Sequence, residues 1–415
     1  MHWVDADQEW ELLLSYMAPG MGDLTTTQRE QLIAEKGKHE VVLYTEIVRA
    51  KVVISAVGAL VEPKPHPDIP GLKDFQGDII HSACWDRNTN VKDKNVIVVG
   101  TGSTGGQIVP ALITPQYGAK SVTHLMRSPP WVEPTMTAKG LKSWEKWMPK
   151  LCGNVPGFQR VMRKIIFTTL EIEFLSIFSP GKASRRRREE RAKYLLGYLR
   201  DTVPEKYWDM LTPDYEVFCK RRVIDAGWFT SLQDDRVELS TLPLTKINQR
   251  SVTLGPGRSY PPMEKTESKV PLDEREVPAD TIIFANGFEA GEWLHPLDVI
   301  GRHGQGLHKT WQERGGAQAY LGSAMDGFPN FFIIHGPNTV TGHSSVILAS
   351  EMMIQYALHF VPRILKGEII SCEVTEEAER KWTKDIQERL QNSVWMSGGC
   401  HSWYFKGNWN ATLYP

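Results

Sequence analysis

The sequence lacks the features by which metal proteins, nucleic-acid binders and membrane proteins are usually recognised. Its 415 residues include only five cysteines, which are widely scattered and form no C-x-x-C pair, so no metal site is indicated. The 48 basic and 49 acidic residues almost cancel, and the net charge of -1 predicts no nucleic-acid partner. The longest apolar stretch, residues 165–178, contains two glutamates and is too short to cross a bilayer, so no transmembrane segment is expected.

Signatures of hydrolases and metalloenzymes are absent as well. No G-x-S-x-G elbow for a nucleophilic serine occurs. The twelve histidines form neither an H-E-x-x-H motif nor the spacing of a facial triad, so no metal-ligating residue is predicted. The first seven residues are too acidic and polar for a signal peptide, and together with the scattered cysteines they favour a cytoplasmic location.

Apolar runs along the chain predict an α/β fold. Residues 1–50 indicate two meander strands and a connecting helix, at residues 10–14, 41–48 and 25–38. Four continuous apolar runs are typical of buried parallel strands: residues 51–58, 95–99, 279–287 and 331–338. Residues 137–215 are predicted to be helical. Within them, the run of five arginines and two glutamates at residues 185–191 indicates a solvated helix face, with phosphate binding as the alternative.

A glycine-rich turn follows the apolar strand at residues 95–99 and predicts a dinucleotide site. Gly100 allows a tight turn, Gly102 lets the backbone approach a pyrophosphate, and Gly105 allows close helix packing. The pyrophosphate is expected at the N-terminus of the following helix, held by the seven residues of the turn: Gly100, Thr101, Gly102, Ser103, Thr104, Gly105 and Gly106.

The end of the next strand indicates which nucleotide is bound. Arg127 and Ser128 lie where an NAD site carries an acidic residue for the ribose hydroxyls. A cation at this point favours a 2′-phosphate, so we expect NADPH as the nucleotide. The alternative is a surface arginine beside a loop.

A second motif lies just before the glycine turn. Phe75, Gly77, His81 and Trp85 form the pattern F-x-G-x-x-x-H-x-x-x-W, and Gly100 follows fifteen residues after the tryptophan. In this order and spacing, the two motifs resemble those of type I Baeyer–Villiger monooxygenases, which are FAD- and NADPH-dependent members of the flavin-containing monooxygenase superfamily. The resemblance implies that His81 helps to couple NADPH binding to domain movement and does not carry a proton.

The same resemblance assigns roles to a basic segment further along. It implies that Lys220 helps to hold the 2′-phosphate and that Arg221 is catalytic, reaching over the flavin to stabilise negative charge on oxygen. Arg222 takes this role if the alignment is off by one residue. The simpler alternative for this segment is a basic turn in solvent.

The resemblance also predicts the domain organisation. The expected fold is a doubly wound NADP-binding Rossmann domain inserted in a truncated FAD-binding domain, with a helical insert. The predicted parts are a remnant of the FAD-binding domain with a linker at residues 1–88, the NADP-binding domain at 89–136 and 219–280, the helical insert at 137–218, and the C-terminal part of the FAD-binding domain at 281–415.

One expected element is missing from the sequence. Family members begin with a strand–helix–strand unit whose own G-x-G-x-x-G holds the FAD pyrophosphate, and no such pattern occurs before Gly100. FAD binding is therefore in doubt. Three accounts stay open: a misassigned gene start, a flavin-less binding or scaffold protein, or weak flavin binding completed by an oligomeric partner.

The resemblance implies a monooxygenase that inserts one oxygen atom of O₂ next to a carbonyl, or onto a soft heteroatom, of a hydrophobic small molecule such as a secondary metabolite. An NADP-dependent reductase without oxygen chemistry is a further alternative. The substrate and the oligomeric state are left open by the sequence.

Overall fold

The computed structural model describes residues 1–86, 88–135, 142–256, 274–291, 293–340, 342, 345–402, 404–406, 409–410 and 412. The strands are β1 His2–Val4, β2 Glu9–Met17, β3 Val42–Ala50, β4 Val53–Ser55, β5 Asp78–His81, β6 Asn95–Val99, β7 Ser121–Leu125, β8 Val132–Pro134, β9 Val223–Asp225, β10 Val237–Ser240, β11 Leu244–Ile247, β12 Ser251–Leu254, β13 Arg275–Pro278, β14 Thr281–Phe284, β15 Phe331–Ile333, β16 Phe405–Lys406 and β17 Trp409–Asn410. The α-helices are α1 Thr26–Lys36, α2 Ser103–Leu112, α3 Lys142–Asn154, α4 Phe158–Phe178, α5 Lys182–Thr202, α6 Trp208–Leu211, α7 Trp228–Ser231, α8 Leu307–Glu313, α9 Val346–Leu365, α10 Glu376–Leu390 and α11 Val394–Ser397.

The chain divides into two compact units, whose segments alternate along the sequence. The first unit comprises Met1–Pro63, Leu170–Pro180 and Phe288–Pro415, and the second comprises Lys64–Thr169 and Gly181–Gly287. The first unit therefore contains both ends of the chain. The finer division into five parts stays a prediction.

The second unit is built on a five-stranded parallel sheet in the order β10-β7-β6-β14-β5. Its strands are short apolar runs because both faces of the sheet are covered. Val96 and Val98 belong to one buried cluster, whereas Ile97 between them belongs to the other. This alternation follows from the two-residue period of a strand. The parallel sheet confirms the predicted α/β class with a Rossmann-like core.

The strand–helix–strand prediction at the glycine turn is confirmed. Strand β6 leads through the turn into α2, and the chain returns as β7, which pairs with β6 in parallel from Asn95↔Ser121 to Val99↔Leu125. Helix α2 buries Val109 and Leu112 in the same cluster as Val96 and Val98. This packing holds the N-terminus of α2 at the carboxyl edge of the sheet.

The first unit contains the predicted meander, in which β1, β2 and β3 form an antiparallel sheet. Helix α1 connects β2 to β3 and begins with a capping box, in which the Thr25 hydroxyl accepts from the Gln28 backbone and the Gln28 side chain accepts from the Thr25 N–H. The meander and its helix are therefore confirmed.

The strand predicted at residues 51–58 differs from expectation. Only Val53–Ser55 forms a strand, β4, and it pairs in parallel with β15. The prediction that this run is buried is wrong, because Ile54 is 47% exposed. The reason lies in the sheet: β15 is its only strand partner within the described part of the chain, so one flank and one face of β4 are not covered.

The basic run on α5 also differs from expectation. Arg188 is buried, and its Nε donates to Glu216 Oε2 at 2.6 Å, while Arg191 forms a close ion pair with Glu133. The prediction of a solvated face is wrong for these two residues, although Arg186 is exposed. Across the described residues, no helix combines the length and apolar character that crossing a membrane requires.

Candidate nucleotide-binding site

The turn between β6 and α2 has the backbone geometry that its glycines predict. Gly100 has a φ of 111°, in the left-handed region, and a Cβ there would lie 2.6 Å from the Ala285 carbonyl oxygen. A Cβ at Gly105 would lie 1.9 Å from the Gly100 carbonyl oxygen. Both positions therefore exclude any side chain, and the turn passes close beneath the helix that it opens.

The N-terminus of α2 is arranged to accept an anion. Gly102 is its N-cap and provides no side chain to bond the first N–H groups of the helix. No atom lies within 4 Å of a Cβ built at Gly102, and Ser103 and Thr104 are exposed, so the helix end opens outward. Thr101 is buried beneath it. The uncapped N–H groups and the helix dipole together favour a phosphate at this point.

Lys220 and Arg127 come together although they are far apart in sequence. Burial and the positive charge of Arg127 together lower the pKa of the Lys220 ammonium to about 8, while Asp214 opposes the shift. Arg127 is exposed and Ser128 partly buried, just beyond the end of β7. Two neighbouring cations, one of them largely desolvated, are stabilised by an anion between them, as a 2′-phosphate would provide.

The Lys220 ammonium forms a cation–π contact with an aromatic ring. Its Nζ lies 4.5 Å from the centre of the Tyr215 ring. The Tyr215 hydroxyl donates to the Pro129 carbonyl at 2.8 Å, and the Tyr215 carbonyl accepts from Trp131 Nε1 at 3.0 Å. Sequence reasoning missed Tyr215, because nothing in the local pattern links it to the loop after β7.

The structure separates the two candidate arginines. Arg222 forms a close ion pair with Glu133, which Arg191 also binds, and its guanidinium lies 4.3 Å from the centre of the Phe218 ring. Arg221 is exposed, and no described carboxylate forms an ion pair with it. The charge of Arg222 is thus used inside the unit, which leaves Arg221 as the arginine available to a ligand.

The four residues of the F-x-G-x-x-x-H-x-x-x-W motif, Phe75, Gly77, His81 and Trp85, all lie in the second unit. A Cβ at Gly77 would lie 2.2 Å from the Asp280 carbonyl oxygen, so glycine is required there. Phe75 packs against one buried cluster of the sheet and Trp85 against the other. These three residues therefore have packing roles.

His81, at the end of β5, is mostly buried. Burial lowers its pKa, as does nearby His66, while contacts with Asn286 and Gly287 oppose the shift. The backbone N–H of Ala83 donates to its Nδ1 at 3.1 Å. The hydrogen bond from the backbone places His81 in a structural setting, and its role in coupling NADPH binding to domain movement stays a prediction.

Comparison with known proteins shows which enzymes this chain resembles. Residues 13–153 match the family model described as flavin-binding monooxygenase-like. The chain is 31% identical over 369 residues to a Baeyer–Villiger monooxygenase of Streptomyces coelicolor, covering 88% of this chain and 65% of the relative. It is 30% identical over 368 residues to a Baeyer–Villiger monooxygenase of Pseudomonas aeruginosa, covering 88% of this chain and 64% of the relative.

The solved structures agree in fold. A complex of OTEMO with FAD and NADP aligns with a TM-score of 0.68 at 21% identity, over 99% of this chain and 74% of that one. Cyclohexanone monooxygenase from Rhodococcus sp. Phi1 bound to NADP⁺ aligns with a TM-score of 0.64 at 23% identity, over 89% and 71% of the two chains. The predicted resemblance to flavin-binding monooxygenases of the Baeyer–Villiger type is confirmed by the family model and these relatives, and the solved structures agree with the predicted fold. It spans 65% or less of the length of the first curated relatives that it matches.

Proposed function

We propose that this protein is an FAD- and NADPH-dependent monooxygenase of the Baeyer–Villiger type and that the described residues bind NADPH. The reaction inserts one oxygen atom of O₂ next to a carbonyl of a hydrophobic small molecule, of the kind found among secondary metabolites. The observation that carries the proposal is the glycine turn at the start of α2, in the same unit as the Arg127–Lys220 pair. The names of the relatives supply the reaction type.

The residues present fit NADPH. The N–H groups of the turn, from Gly100 to Gly106, would receive the pyrophosphate, and Arg127, Ser128 and Lys220 would receive the 2′-phosphate. A hydrogen bond to a charged group contributes about 1.5–3 kcal/mol, so losing the 2′-phosphate contacts would weaken binding by at least tenfold. NADH lacks this phosphate and serves as the comparison.

FAD does not find the same arrangement in the described residues. Among them, the turn with the G-x-G-x-x-G pattern is the one between β6 and α2, and this turn fits NADPH. Strand β4 ends at Ser55 and leads into the proline-rich segment without a helix. No described residue is therefore assigned to the flavin pyrophosphate. When bound, FAD supplies the transfer of electrons from NADPH to O₂.

Arg221 is the residue that we assign to oxygen chemistry. Its guanidinium keeps a positive charge at any working pH and stabilises negative charge developing on oxygen. Arg222 is disfavoured for this role because an ion pair with Glu133 holds it inside the unit. For this chain we further propose the five-part organisation described above and a cytoplasmic location. We also propose that its substrate is a small hydrophobic molecule.

Nucleotide titration tests the proposal. The purified protein is titrated with NADPH and NADH, and we expect at least tenfold tighter binding of NADPH. Equal affinities would contradict it. O₂-dependent NADPH consumption with added FAD then separates a monooxygenase from the two rivals: a reductase transfers hydride without flavin, and a flavin-less binding protein does neither.

A further inference from the structure

A buried chain of hydrogen bonds lies directly beneath the glycine turn. His124 is completely buried in β7, and its Nε2 lies 2.9 Å from the Gly100 carbonyl oxygen. On the other side of the ring, the Trp228 indole Nε1–H donates to His124 Nδ1 at 3.1 Å. Trp228 is also completely buried. Both ring nitrogens of the histidine are thus occupied.

The chemistry of the indole determines which nitrogen carries the hydrogen. An indole N–H can only donate, so His124 Nδ1 must be the acceptor and Nε2 must carry the hydrogen. Nε2–H then donates to the Gly100 carbonyl. Burial lowers the pKa of His124 to about 4, so the ring is neutral in the physiological range and this arrangement does not titrate there.

This donation determines how the turn faces its ligand. The peptide between Gly100 and Thr101 is planar and trans, so a carbonyl held toward His124 directs the Thr101 N–H away from it. The same carbonyl oxygen lies 1.9 Å from a Cβ built at Gly105, and His124 Nε2 lies 3.1 Å from that Cβ. The histidine thus lies against the point where the turn passes under α2.

The two partners are themselves firmly placed. His124 pairs through its backbone with Val98 in β6 and Leu239 in β10. Trp228 begins α7, where the Asp225 carboxylate accepts from the Gly227 N–H at 2.9 Å and from the Tyr198 hydroxyl at 2.5 Å. The side chains that hold the turn therefore belong to elements outside the glycine motif.

We propose that His124, oriented by Trp228, is a positioning residue that preorganises the glycine turn for the pyrophosphate of NADPH. The proposal rests on the NADPH site proposed above. The alternative is a core histidine whose hydrogen bonds serve stability alone. The two differ in what they predict for ligands with and without a pyrophosphate.

The test measures two nucleotides on the same variants. NADP⁺ carries the pyrophosphate, whereas 2′-AMP reaches only the 2′-phosphate site. His124→Leu removes the donor and should raise the Kd for NADP⁺ about tenfold, because one buried hydrogen bond is lost. Trp228→Phe keeps an aromatic ring but removes the N–H that selects the histidine tautomer. It should raise the Kd for NADP⁺ about threefold. His124→Gln can still donate to Gly100 and should stay near the wild-type value. The Kd for 2′-AMP should be unchanged in all three.

Arg127→Gln is the matched control, and it should weaken both ligands. A second measurement is the nitrogen spectrum of the labelled histidine ring: wild type should show the hydrogen on Nε2, and Trp228→Phe should admit the other tautomer. Wild-type affinity for NADP⁺ in Trp228→Phe and in folded His124→Leu would overturn the proposal, as would equal weakening of both ligands. Failure of the wild type to bind either ligand would instead refute the proposed NADPH site.

Discussion

Lys220 is a residue whose ordinary chemistry is changed by its neighbours. Burial and the charge of Arg127 bring its pKa to about 8, so it loses its proton at a pH where an exposed lysine keeps it. A 2′-phosphate beside it would favour the protonated form. Nucleotide affinity and the protonation of this lysine are therefore linked.

The first prediction is that NADPH binding weakens above pH 8 while NADH binding does not. Above its pKa, Lys220 is neutral in the free protein, so binding the 2′-phosphate must take up a proton, and the affinity should fall by up to about tenfold per pH unit. Below pH 8 the curve should be flat with respect to this group. Titrations between pH 6.5 and 9.5 measure it, and Lys220→Met should remove the slope. A slope shared by NADH would mean that another group is responsible.

The second prediction concerns the neighbouring arginines. Arg221 is exposed, so Arg221→Ala should leave the free energy of unfolding nearly unchanged, yet lower oxygenation in the flavin-loaded protein by about 10²–10³-fold. Arg222→Ala removes one of the two arginines that pair with the mostly buried Glu133 and, because Arg191 remains, should destabilise the protein by about 1.5–3 kcal/mol. Urea denaturation and product analysis separate the two. A stable Arg222→Ala protein without oxygenation would move the catalytic assignment to Arg222.

At the scale of elements, the turn into α2 and the start of α10 show how local geometry sets local chemistry. The three glycines of the G-x-G-x-x-G pattern look alike in the sequence, but their surroundings differ. Gly100 and Gly105 are enclosed by backbone, whereas Gly102 faces open space. The first two are required by the fold, and the third is required only by a close ligand.

The third prediction follows from this difference. Gly105→Ala places a methyl 1.9 Å from the Gly100 carbonyl oxygen and should destabilise the protein by about 2–4 kcal/mol. Gly102→Ala meets no atom within 4 Å, so thermal stability should be unchanged while the Kd for NADPH rises about tenfold. Calorimetry and nucleotide titration on the pair provide the check. Unchanged affinity in Gly102→Ala would place the pyrophosphate elsewhere.

The first turn of α10 contains a buried carboxyl group in the first unit. Glu379 is completely buried and accepts from the Asp326 backbone N–H at 2.8 Å, while Arg314 binds the Asp326 carboxylate through two nitrogens at 2.5 and 2.9 Å. Burial and the nearby Asp326 together raise the pKa of Glu379 to about 8. Because one cation serves two carboxyls, Asp326 stays ionised and Glu379 keeps its proton.

The fourth prediction is that this group makes stability fall as the pH rises. Between the ordinary glutamate value of 4.5 and about 8, the folded protein holds a proton that the unfolded chain has lost, so the free energy of unfolding decreases across this range. Glu379→Gln imitates the protonated form and should flatten this part of the profile. Melting temperatures at pH 5 to 9 measure it. An equally steep decline in the variant would assign the effect to another residue.

At the scale of the whole molecule, the first unit presents apolar surface on two elements. The paired strands β2 and β3 expose Leu13, Leu43 and Ile47. Helix α9 exposes Leu365 and Ile347, and Ile347 is 72% accessible. Apolar patches of this kind promote association. The described residues also offer one dinucleotide turn, which fits NADPH.

The fifth prediction is that the 415-residue chain, expressed alone, binds NADPH but associates and lacks stoichiometric FAD. Its flavin-to-protein absorbance ratio should be well below that of a one-to-one complex, and size exclusion should show higher-order species. Ile47→Glu and Ile347→Lys place charges on the two apolar faces and should reduce association. A monodisperse monomer with one tightly held FAD would contradict the prediction.

The sequence alone determined the parts of the molecule that depend on near neighbours along the chain. The turn at Gly100 was predictable because a left-handed residue and a close helix crossing both require glycine at fixed spacing. The meander, the strand–helix–strand unit and the family resemblance follow in the same way, from periodicity and motif order. The roles proposed for Lys220 and Arg221 come only from the family resemblance, because the local sequence pattern does not indicate them.

Tertiary structure decided which distant residues meet. The sequence predicts β14 as one of several buried strands but does not predict its neighbours. In the structure, β14 pairs with β5 and β6 and therefore lies inside the sheet of the second unit. That sheet order, with the loops at its edges, brings Lys220 to Arg127 and Trp228 to His124. It also pairs Arg188 with Glu216, and Arg191 and Arg222 with the buried Glu133. Charge and size are written in the sequence, but whether a side chain finds solvent, a partner or a ligand depends on contacts between segments far apart in the chain.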